Sequence, residues 1–172
     1  MPERAVPMNL QREIGKKKPF DVPEEEAFLN IFRTSSQLSC QTNRFLRAYG
    51  LTEPQYNALR IVRGHGSEGV PSQTIGEQLI AQVPDITRLV DRLCAAGLVD
   101  RARIASDRRV VMVRITRAGQ DLLGRIDRPI LDLHREQLGH LSRSELKELN
   151  RLLCKARQRL DDGTGPAAGT NS

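Results

Sequence analysis

Residues 84–119 read PDITRLVDRLCAAGLVDRARIASDRRVVMVRITRAG, and this stretch decides the fold. Its first part has four apolar residues at the three- and four-residue steps of a helix: Ile86, Leu89, Val90 and Leu93. These steps predict an amphipathic helix that ends at Gly97. Residues 98–103 and 110–116 then alternate apolar and polar side chains, as two β-strands do. The charged residues 104–109 between them would form the tip of a β-hairpin.

A shorter helix is predicted just before this stretch. It begins after Pro71 with Ser72 as its N-cap. Three of its apolar residues are expected to point inward: Ile75, Leu79 and Ile80. A break at residues 81–83 follows, and Pro84 suits the first turn of the next helix. Polar residues occupy the other side of that second helix: Thr87, Arg88 and Arg92. Two short helices joined by a tight turn, the second amphipathic, describe a helix-turn-helix.

Longer helices are predicted on both sides of this segment. One spans residues 24–50, where apolar or small residues form a single seam: Phe28, Ile31, Ser35, Leu38, Thr42, Phe45 and Tyr49. Thr52 and Gln55 have the spacing of a capping box, which predicts another helix over residues 53–63. Thr116 can cap a further helix, in which Pro129 is expected to cause a kink. Ser142 and Glu145 form a further capping box, and the last helix carries an apolar seam: Leu146, Leu149, Leu153, Ala156 and Leu160.

The fold class is therefore mainly α with a small β-hairpin wing. Residues 24–160 form one winged-helix domain, with a central lobe over about 52–119 and long helices over about 24–50 and 117–160. Residues 1–23 contain a lysine triplet and little periodicity, and they predict a flexible arm. That triplet either grips a polyanion or is simply solvated. Residues 161–172 cannot bury a core and predict a disordered tail.

Composition limits the possible functions of the chain. Its 172 residues include 27 Lys and Arg against 21 Asp and Glu, a formal net charge of +6, so polyanions are plausible partners. No apolar run approaches the length of a spanning helix, and the first 20 residues lack the apolar core of a signal peptide. We therefore expect a cytoplasmic protein with no membrane contact.

The candidate reactive side chains do not form a recognisable site. Three cysteines stand far apart in no ligand spacing: Cys40, Cys94 and Cys154. Cys94 and Cys154 fit small buried hydrophobes, although a redox-sensing role for one of the three stays open. The histidines lack metal-ligand spacing, and no nucleophile–base pair or phosphate loop is present. We expect no metal, no cofactor and no enzymatic activity.

A helix-turn-helix followed by a hairpin can bind duplex DNA through both of its parts. A helix fits the major groove, and a narrow hairpin tip can place an arginine in the adjacent minor groove. Arg108 or Arg109 would supply that cation. Asp107 would orient it by accepting hydrogen bonds in the turn. For an isolated tripeptide a solvated turn would be the better interpretation, but its place directly after a helix-turn-helix favours the functional one.

The quoted stretch resembles the multiple antibiotic resistance regulator (MarR) family, whose wing has an Asp-x-Arg pair followed by a strand and a Thr-x-x-Gly helix start. Asp107, Arg109, Thr116 and Gly119 match that pattern. The resemblance implies a homodimeric winged-helix transcription regulator, commonly a repressor that a small anionic or phenolic ligand releases from DNA. It also implies that the long terminal helices form the dimer, and hence a pseudo-palindromic operator.

The resemblance assigns three groups of candidate DNA-binding residues. The recognition helix contributes Pro84, Asp85, Thr87, Arg88 and Arg92. The start of the preceding helix contributes phosphate contacts from Ser72, Gln73 and Thr74. The wing contributes Arg103, Ser106, Asp107, Arg108 and Arg109. The effector-binding residues remain unassigned.

Asp85 departs from the family pattern, in which a small or hydroxylated residue is more usual. It either stabilises the start of the recognition helix or accepts a hydrogen bond from cytosine, and we favour the structural role. Two alternatives to a ligand-controlled repressor stay open. One is a winged-helix module that binds another protein and touches DNA nonspecifically, and the other is a cysteine-based redox regulator.

Overall fold

The computed structural model describes residues 9–103 and 111–161, with the backbone alone at 102–103 and 159–161. The elements, in chain order, are α1 (Leu10–Glu13), α2 (Pro23–Arg47), α3 (Glu53–Gly64), a 3-10 turn (Gly66–Glu68), β1 (Val70–Pro71), α4 (Ser72–Gln78), α5 (Ile86–Ala95), β2 (Val99–Arg103), β3 (Val111–Ile115), α6 (Arg117–Leu138) and α7 (Arg143–Asp161). The chain forms two compact units that meet within α6, between Arg128 and Pro129.

The core of the first unit lies between the helix-turn-helix and the hairpin. Its largest fully buried side chains come from the helices α2–α6 and from all three strands: Leu46, Leu59, Val62, Val70, Ile75, Val90, Leu93, Val99, Val113, Leu123 and Ile126. Burying branched apolar side chains of this size contributes about 1.5–3 kcal/mol each. The predicted helical periodicity of residues 86–93 is confirmed, because its apolar side chains form the buried face of α5.

The predicted hairpin is present as part of a larger antiparallel sheet. Strand β3 is central, and β1 and β2 pair with it on either side. Val99 pairs with Ile115 at one end of the hairpin and Arg103 with Val111 at the other. Val70 of β1 pairs with Val113. Gly69 precedes β1 at φ +79°, and a Cβ there would lie 2.7 Å from the carbonyl oxygen of Val113. A side chain cannot be accommodated at so close an approach.

Several local predictions for the helix-turn-helix were wrong. Pro71, not Ser72, is the N-cap of α4, and no side chain caps that helix. Pro84 lies outside α5, because Asp85 is the N-cap. The predicted inward orientation of Ile80 is also wrong, since the residue follows the end of α4 and is 86 % exposed. Cap positions differ by one or two residues between a sequence pattern and a folded helix.

The wing is attached to α5 and α6 through one threonine. The Thr116 hydroxyl donates to the carbonyl of Gly97 at 2.7 Å and accepts from the amide of Gly119 at 3.1 Å. The Thr116 amide donates to the carbonyl of Leu98 at 3.1 Å. Thr116 therefore caps α6, as predicted, and also fixes the turn after α5. Gly119 is required because a Cβ would lie 2.3 Å from the Leu98 carbonyl oxygen.

Part of the segment predicted as an arm is ordered against α2. Leu10 of α1 is buried, and Glu13 accepts an ion-paired hydrogen bond of 2.7 Å from Arg33. Lys16 lies 3.9 Å from a carboxylate oxygen of Glu25. The sequence did not indicate this contact, because the single turn of α1 is too short to show a hydrophobic period.

The seam predicted for α2 is half-buried from Leu38 onward and exposed before it, and the fully buried residue of the helix, Leu46, lies outside that predicted seam. Leu46 is fully buried, but Phe28, Ile31 and Phe32 near the other end are 67 %, 48 % and 68 % exposed. The rings of Phe28 and Phe32 stack with centroids 6.4 Å apart. The N-terminal half of α2 thus presents aromatic surface to solvent in the single chain.

The second unit contains the end of α6 and the last helix. The capping box predicted for α7 is confirmed, because the Ser142 amide donates to Glu145 Oε2 at 2.7 Å and the Glu145 amide donates to Ser142 Oγ at 3.3 Å. The predicted seam of α7 is incompletely covered, because Leu146 and Leu153 are half-buried while Leu149 and Ala156 are exposed. Leu152, which lies outside that seam, is exposed as well. The side chain of Leu160 lies outside the described residues. Residues 162–172, and with them nearly all of the predicted tail, also lie outside the described part of the chain.

Candidate nucleic-acid interface

Helix α5 has one face in the core and one in solvent. Thr87, Arg88 and Arg92 are exposed, as the sequence predicts, and so is Asp91. Asp85 Oδ1 accepts a 2.9 Å hydrogen bond from the amide of Arg88. This is the structural role favoured for Asp85, and its carboxylate also complements the positive end of the helix dipole.

The beginning of α4 is less open than the sequence suggests. Ser72 and Thr74 are half-buried, whereas Gln73 is exposed. The Gln73 side-chain amide donates to Glu77 Oε1 at 3.0 Å. A phosphate contact from Gln73 therefore requires its amide to leave this carboxylate, and Glu77 itself disfavours a nearby phosphate.

A side chain that sequence analysis missed joins the hairpin to α5. Arg101 of β2 extends its guanidinium to α5, where Nη1 lies 2.5 Å from Asp91 Oδ1 and Nη2 lies 3.2 Å from the carbonyl oxygen of Thr87. One sequence feature could have indicated this contact: Arg101 lies two residues after Val99, which places both side chains on one face of the strand. Nothing in the alternating pattern distinguishes such an arginine from a solvated one.

The described part of the hairpin ends before the predicted tip of the wing. The backbone of Arg103 closes the described part of β2 by pairing with Val111. The predicted wing residues Ser106, Asp107, Arg108 and Arg109 lie outside the described residues, as does the side chain of Arg103.

A bidentate ion pair joins α3 to α6 behind the recognition helix. Arg63 Nη1 and Nη2 donate to the two carboxylate oxygens of Asp127, both at 2.8 Å. These hydrogen bonds lower the pKa of Asp127 and raise the pKa of Arg63. Arg60 lies with its guanidinium 5.8 Å from the ring centroid of the buried Tyr56. The pair joins the end of α3 to the middle of α6.

The three cysteines occupy different environments. Cys94 of α5 is half-buried, and burial is the main cause that raises the pKa of its thiol. A raised pKa disfavours the reactive thiolate. The prediction that Cys154 is buried was wrong for this chain, because it is exposed and accepts a 3.3 Å contact from Arg157. Cys40 is exposed on α2.

Within residues 9–103 and 111–161, the side chains that are described form no cluster of His, Cys, Asp or Glu suited to a metal ion. Over the same ranges, no helix has the length and apolar character needed to cross a membrane.

Comparisons with known proteins agree with this geometry. The family model of the MarR family matches residues 51–111. The crystal structure of a MarR transcription factor from Planctomyces limnophilus is 41 % identical, covers 78 % of this chain and 98 % of its own, and superposes with a TM-score of 0.63. The transcriptional repressor IacR of Pseudomonas putida is 28 % identical over 130 residues, which are 76 % of this chain and 77 % of IacR.

A further structure supports the fold alone. A variant of MarR from Escherichia coli, crystallised in complex with operator DNA, is 24 % identical to this chain, of which it covers 87 %, together with 99 % of its own length. Its TM-score is 0.69.

A helix-turn-helix followed by an antiparallel hairpin, with a long helix before and after it, defines the protein as a winged-helix DNA-binding protein. At 41 % identity to a solved MarR transcription factor, of which it covers 98 %, the chain belongs to the MarR family. It is a DNA-binding transcription regulator, and this family consists of regulators, not enzymes.

Proposed function

We propose that this protein is a homodimeric repressor that binds pseudo-palindromic operators and leaves them when a small anionic or phenolic molecule binds. The carrying observation is the exposed face of α5, where Arg88 and Arg92 stand on a helix whose opposite face is buried. A helix of this kind fits the major groove, where arginine pairs bidentately with guanine.

Neither arginine side chain has a hydrogen-bond or ion-pair partner within the described residues, so both guanidinium groups are available to a ligand. Arg88 is the residue expected to read a base, and Arg92, one turn later, is expected to meet the phosphate backbone. Thr87 lies beside them on the same face. Pro84 and Asp85 would approach the groove edge, with Asp85 acting through its cap.

The remaining contacts follow the family roles. Arg109 enters the minor groove, Asp107 orients it, and the other wing residues, Arg103, Ser106 and Arg108, contact the backbone. Ser72 and Thr74 meet a phosphate at the start of α4, together with Gln73 once its amide leaves Glu77. These are positional contacts, whereas base discrimination rests mainly on α5.

The exposed apolar surface supports the homodimer. Monomeric proteins rarely leave neighbouring large aromatic side chains uncovered, and Phe28 and Phe32 are both about two-thirds exposed. Leu149 and Leu152 are exposed on α7 of the second unit. Covering these side chains with a second copy would set two α5 helices about one turn of DNA apart, which requires half-sites about 10 bp apart.

Selection of bound sequences from random duplex DNA tests this function. We expect a two-fold symmetric consensus, and a log affinity that falls with log salt by about 0.9 per phosphate contact. Arg88→Ala should relax one base pair in each half-site by about 1–3 kcal/mol, and Arg109→Ala should weaken binding most at A·T-rich flanks. Arg151→Ala, which removes the same charge from α7, is the control and should leave the consensus unchanged.

Three outcomes would count against the proposal. Affinity for the selected duplex that hardly responds to salt would favour a protein-binding module. A consensus without two-fold symmetry would contradict the proposed dimer. An unchanged consensus in both Arg88→Ala and Arg109→Ala would contradict the assignment of these residues to base recognition.

A further inference from the structure

Arg101 is the point at which the hairpin contacts the exposed side of the recognition helix. It leaves β2 opposite Val113, a fully buried residue of β3, so its backbone is fixed by the sheet. Its guanidinium then reaches two acceptors on α5, the carbonyl of Thr87 and the carboxylate of Asp91, which are one helical turn apart. One side chain thus holds α5 at two levels along its axis.

The ion pair also changes the charge that α5 presents. Asp91 is exposed on the same surface as Arg88 and Arg92. An unpaired carboxylate there would repel DNA phosphates, because like charges at close range are unfavourable. Arg101 neutralises Asp91 from the hairpin side, and Arg88 and Arg92 keep their charges for a ligand.

We propose that Arg101 is a positioning residue for base recognition, which fixes the orientation of α5 relative to the wing. This inference rests on the proposed DNA-binding function and deepens it. Without Arg101, α5 can rotate or shift against the hairpin, and the base-reading side chains lose their register in the groove. A displacement of about 1 Å is enough to disturb hydrogen bonds of 2.7–3.2 Å.

An exposed ion pair by itself usually contributes little to stability. Arg101 differs because its two hydrogen bonds connect β2 to α5. One of the two acceptors is a main-chain carbonyl, so this hydrogen bond constrains the helix backbone itself. Lysine keeps the positive charge but has a point-like ammonium group, which cannot reproduce the planar fork of arginine. Arg101→Lys therefore separates orientation from charge.

The test compares affinity for the selected operator with affinity for a scrambled duplex. We expect Arg101→Lys to lower this ratio by about tenfold, mainly by weakening operator binding, with unchanged affinity and salt slope on the scrambled duplex. Asp91→Asn should lower the ratio by less, because the amide still offers an oxygen to Arg101. The two substitutions should be non-additive, since both weaken the same contact. Arg117→Lys is the matched control, because Arg117 pairs with Asp121 inside a single helix and orients no second element.

The outcomes distinguish failure of the proposed DNA-binding function from failure of the positioning role of Arg101. If wild-type protein prefers no sequence, the proposed function fails and this inference fails with it. If wild-type protein is selective and Arg101→Lys retains the full ratio, only the positioning role is overturned. Full recovery of the ratio in the Arg101→Lys, Asp91→Asn double variant would also overturn it, because neutralising Asp91 would then be the whole effect. If Arg101→Lys has a lower melting temperature than the Arg117→Lys control, Asp91→Asn provides the same test. An unchanged ratio of operator to scrambled affinity in Asp91→Asn would then count against the inference.

Discussion

Substitution of Gly119 by alanine should destabilise the protein, although the same change elsewhere in a helix is favourable. Gly119 lies in the first turn of α6, where a Cβ would come within 2.3 Å of the Leu98 carbonyl oxygen and 2.9 Å of Ile115 Cγ1. The carbonyl cannot move away freely, because it accepts the 3.1 Å hydrogen bond from the Thr116 amide. Overpacking of this kind costs about 1–3 kcal/mol, and a lost hydrogen bond costs about 0.5–1.5 kcal/mol more.

The gain in helix propensity offsets only part of that cost. Alanine is favoured over glycine by up to about 1 kcal/mol in a helix interior, so Gly119→Ala should lower the free energy of unfolding by about 0.5–3.5 kcal/mol. Gly124 is the matched control in the same helix, since it is exposed and a Cβ there meets nothing within 4 Å. Gly124→Ala should raise the free energy of unfolding by about 0.5–1 kcal/mol.

Denaturant unfolding of both variants at one protein concentration measures these effects, because the stability of a dimer depends on concentration. The expected result is a pair of opposite signs from two identical substitutions five residues apart. If Gly119→Ala is as stabilising as Gly124→Ala, the close approach between the start of α6 and the turn after α5 does not exist in solution.

Substitutions at three further residues test other contacts. Asp85→Ala should lower the free energy of unfolding by about 0.5–2 kcal/mol through loss of the N-cap, whereas Asp85→Asn should retain most of it; equal denaturation midpoints for the two variants would contradict the cap. Phe32→Ser should shift sedimentation toward the monomer with little loss of helical signal, because the ring is exposed in the single chain, and an unchanged mass at all concentrations would exclude this face from the dimer. Arg63 lowers the pKa of Asp127, so the ion pair stabilises the protein above the ordinary Asp pKa of about 3.9, and this contribution is lost as the pH falls below that value. Wild type should therefore exceed Asp127→Asn in stability by about 0.2–1 kcal/mol near neutral pH, the range for a solvent-accessible pair, and the difference should shrink toward pH 3. A difference that does not change with pH would refute the coupling.

The helix-turn-helix and the hairpin could be predicted because each buries one face and therefore has a clear period in the sequence. The strand β1 could not, since two residues carry no period and Pro71 argues against a strand. Leu10 was missed for the same reason, as a single buried residue in a polar segment. Ile80 was placed in the core because its spacing continues α4, but the helix ends at Gln78 and the turn points Ile80 to solvent.

The exposed arginines of α5 were predictable from the polar side of an amphipathic helix, and the structure places them there. The contact of Arg101 with Asp91 was not, because it joins residues on different elements whose angle no local pattern specifies. Sequence analysis likewise assigned Gln73 to phosphate from its position at a helix start, without the Glu77 carboxylate that holds its amide. Charge type is visible in a sequence, whereas the partner of each charge depends on the packing of the elements.

The described contacts hold α5 at three levels along its length. Asp85 caps its first turn, Arg101 contacts its middle, and Thr116 fixes the carbonyl of Gly97 just beyond its end. Each tie uses a side chain other than the exposed arginines, so the helix is positioned before any ligand arrives while Arg88 and Arg92 stay available. Binding then has to order only those long side chains, at about 0.5–1.5 kcal/mol each, in place of the whole segment. Such preorganisation makes base discrimination sensitive to the supporting contacts, and it explains why substitution of a residue that touches no base should lower the preference for the operator.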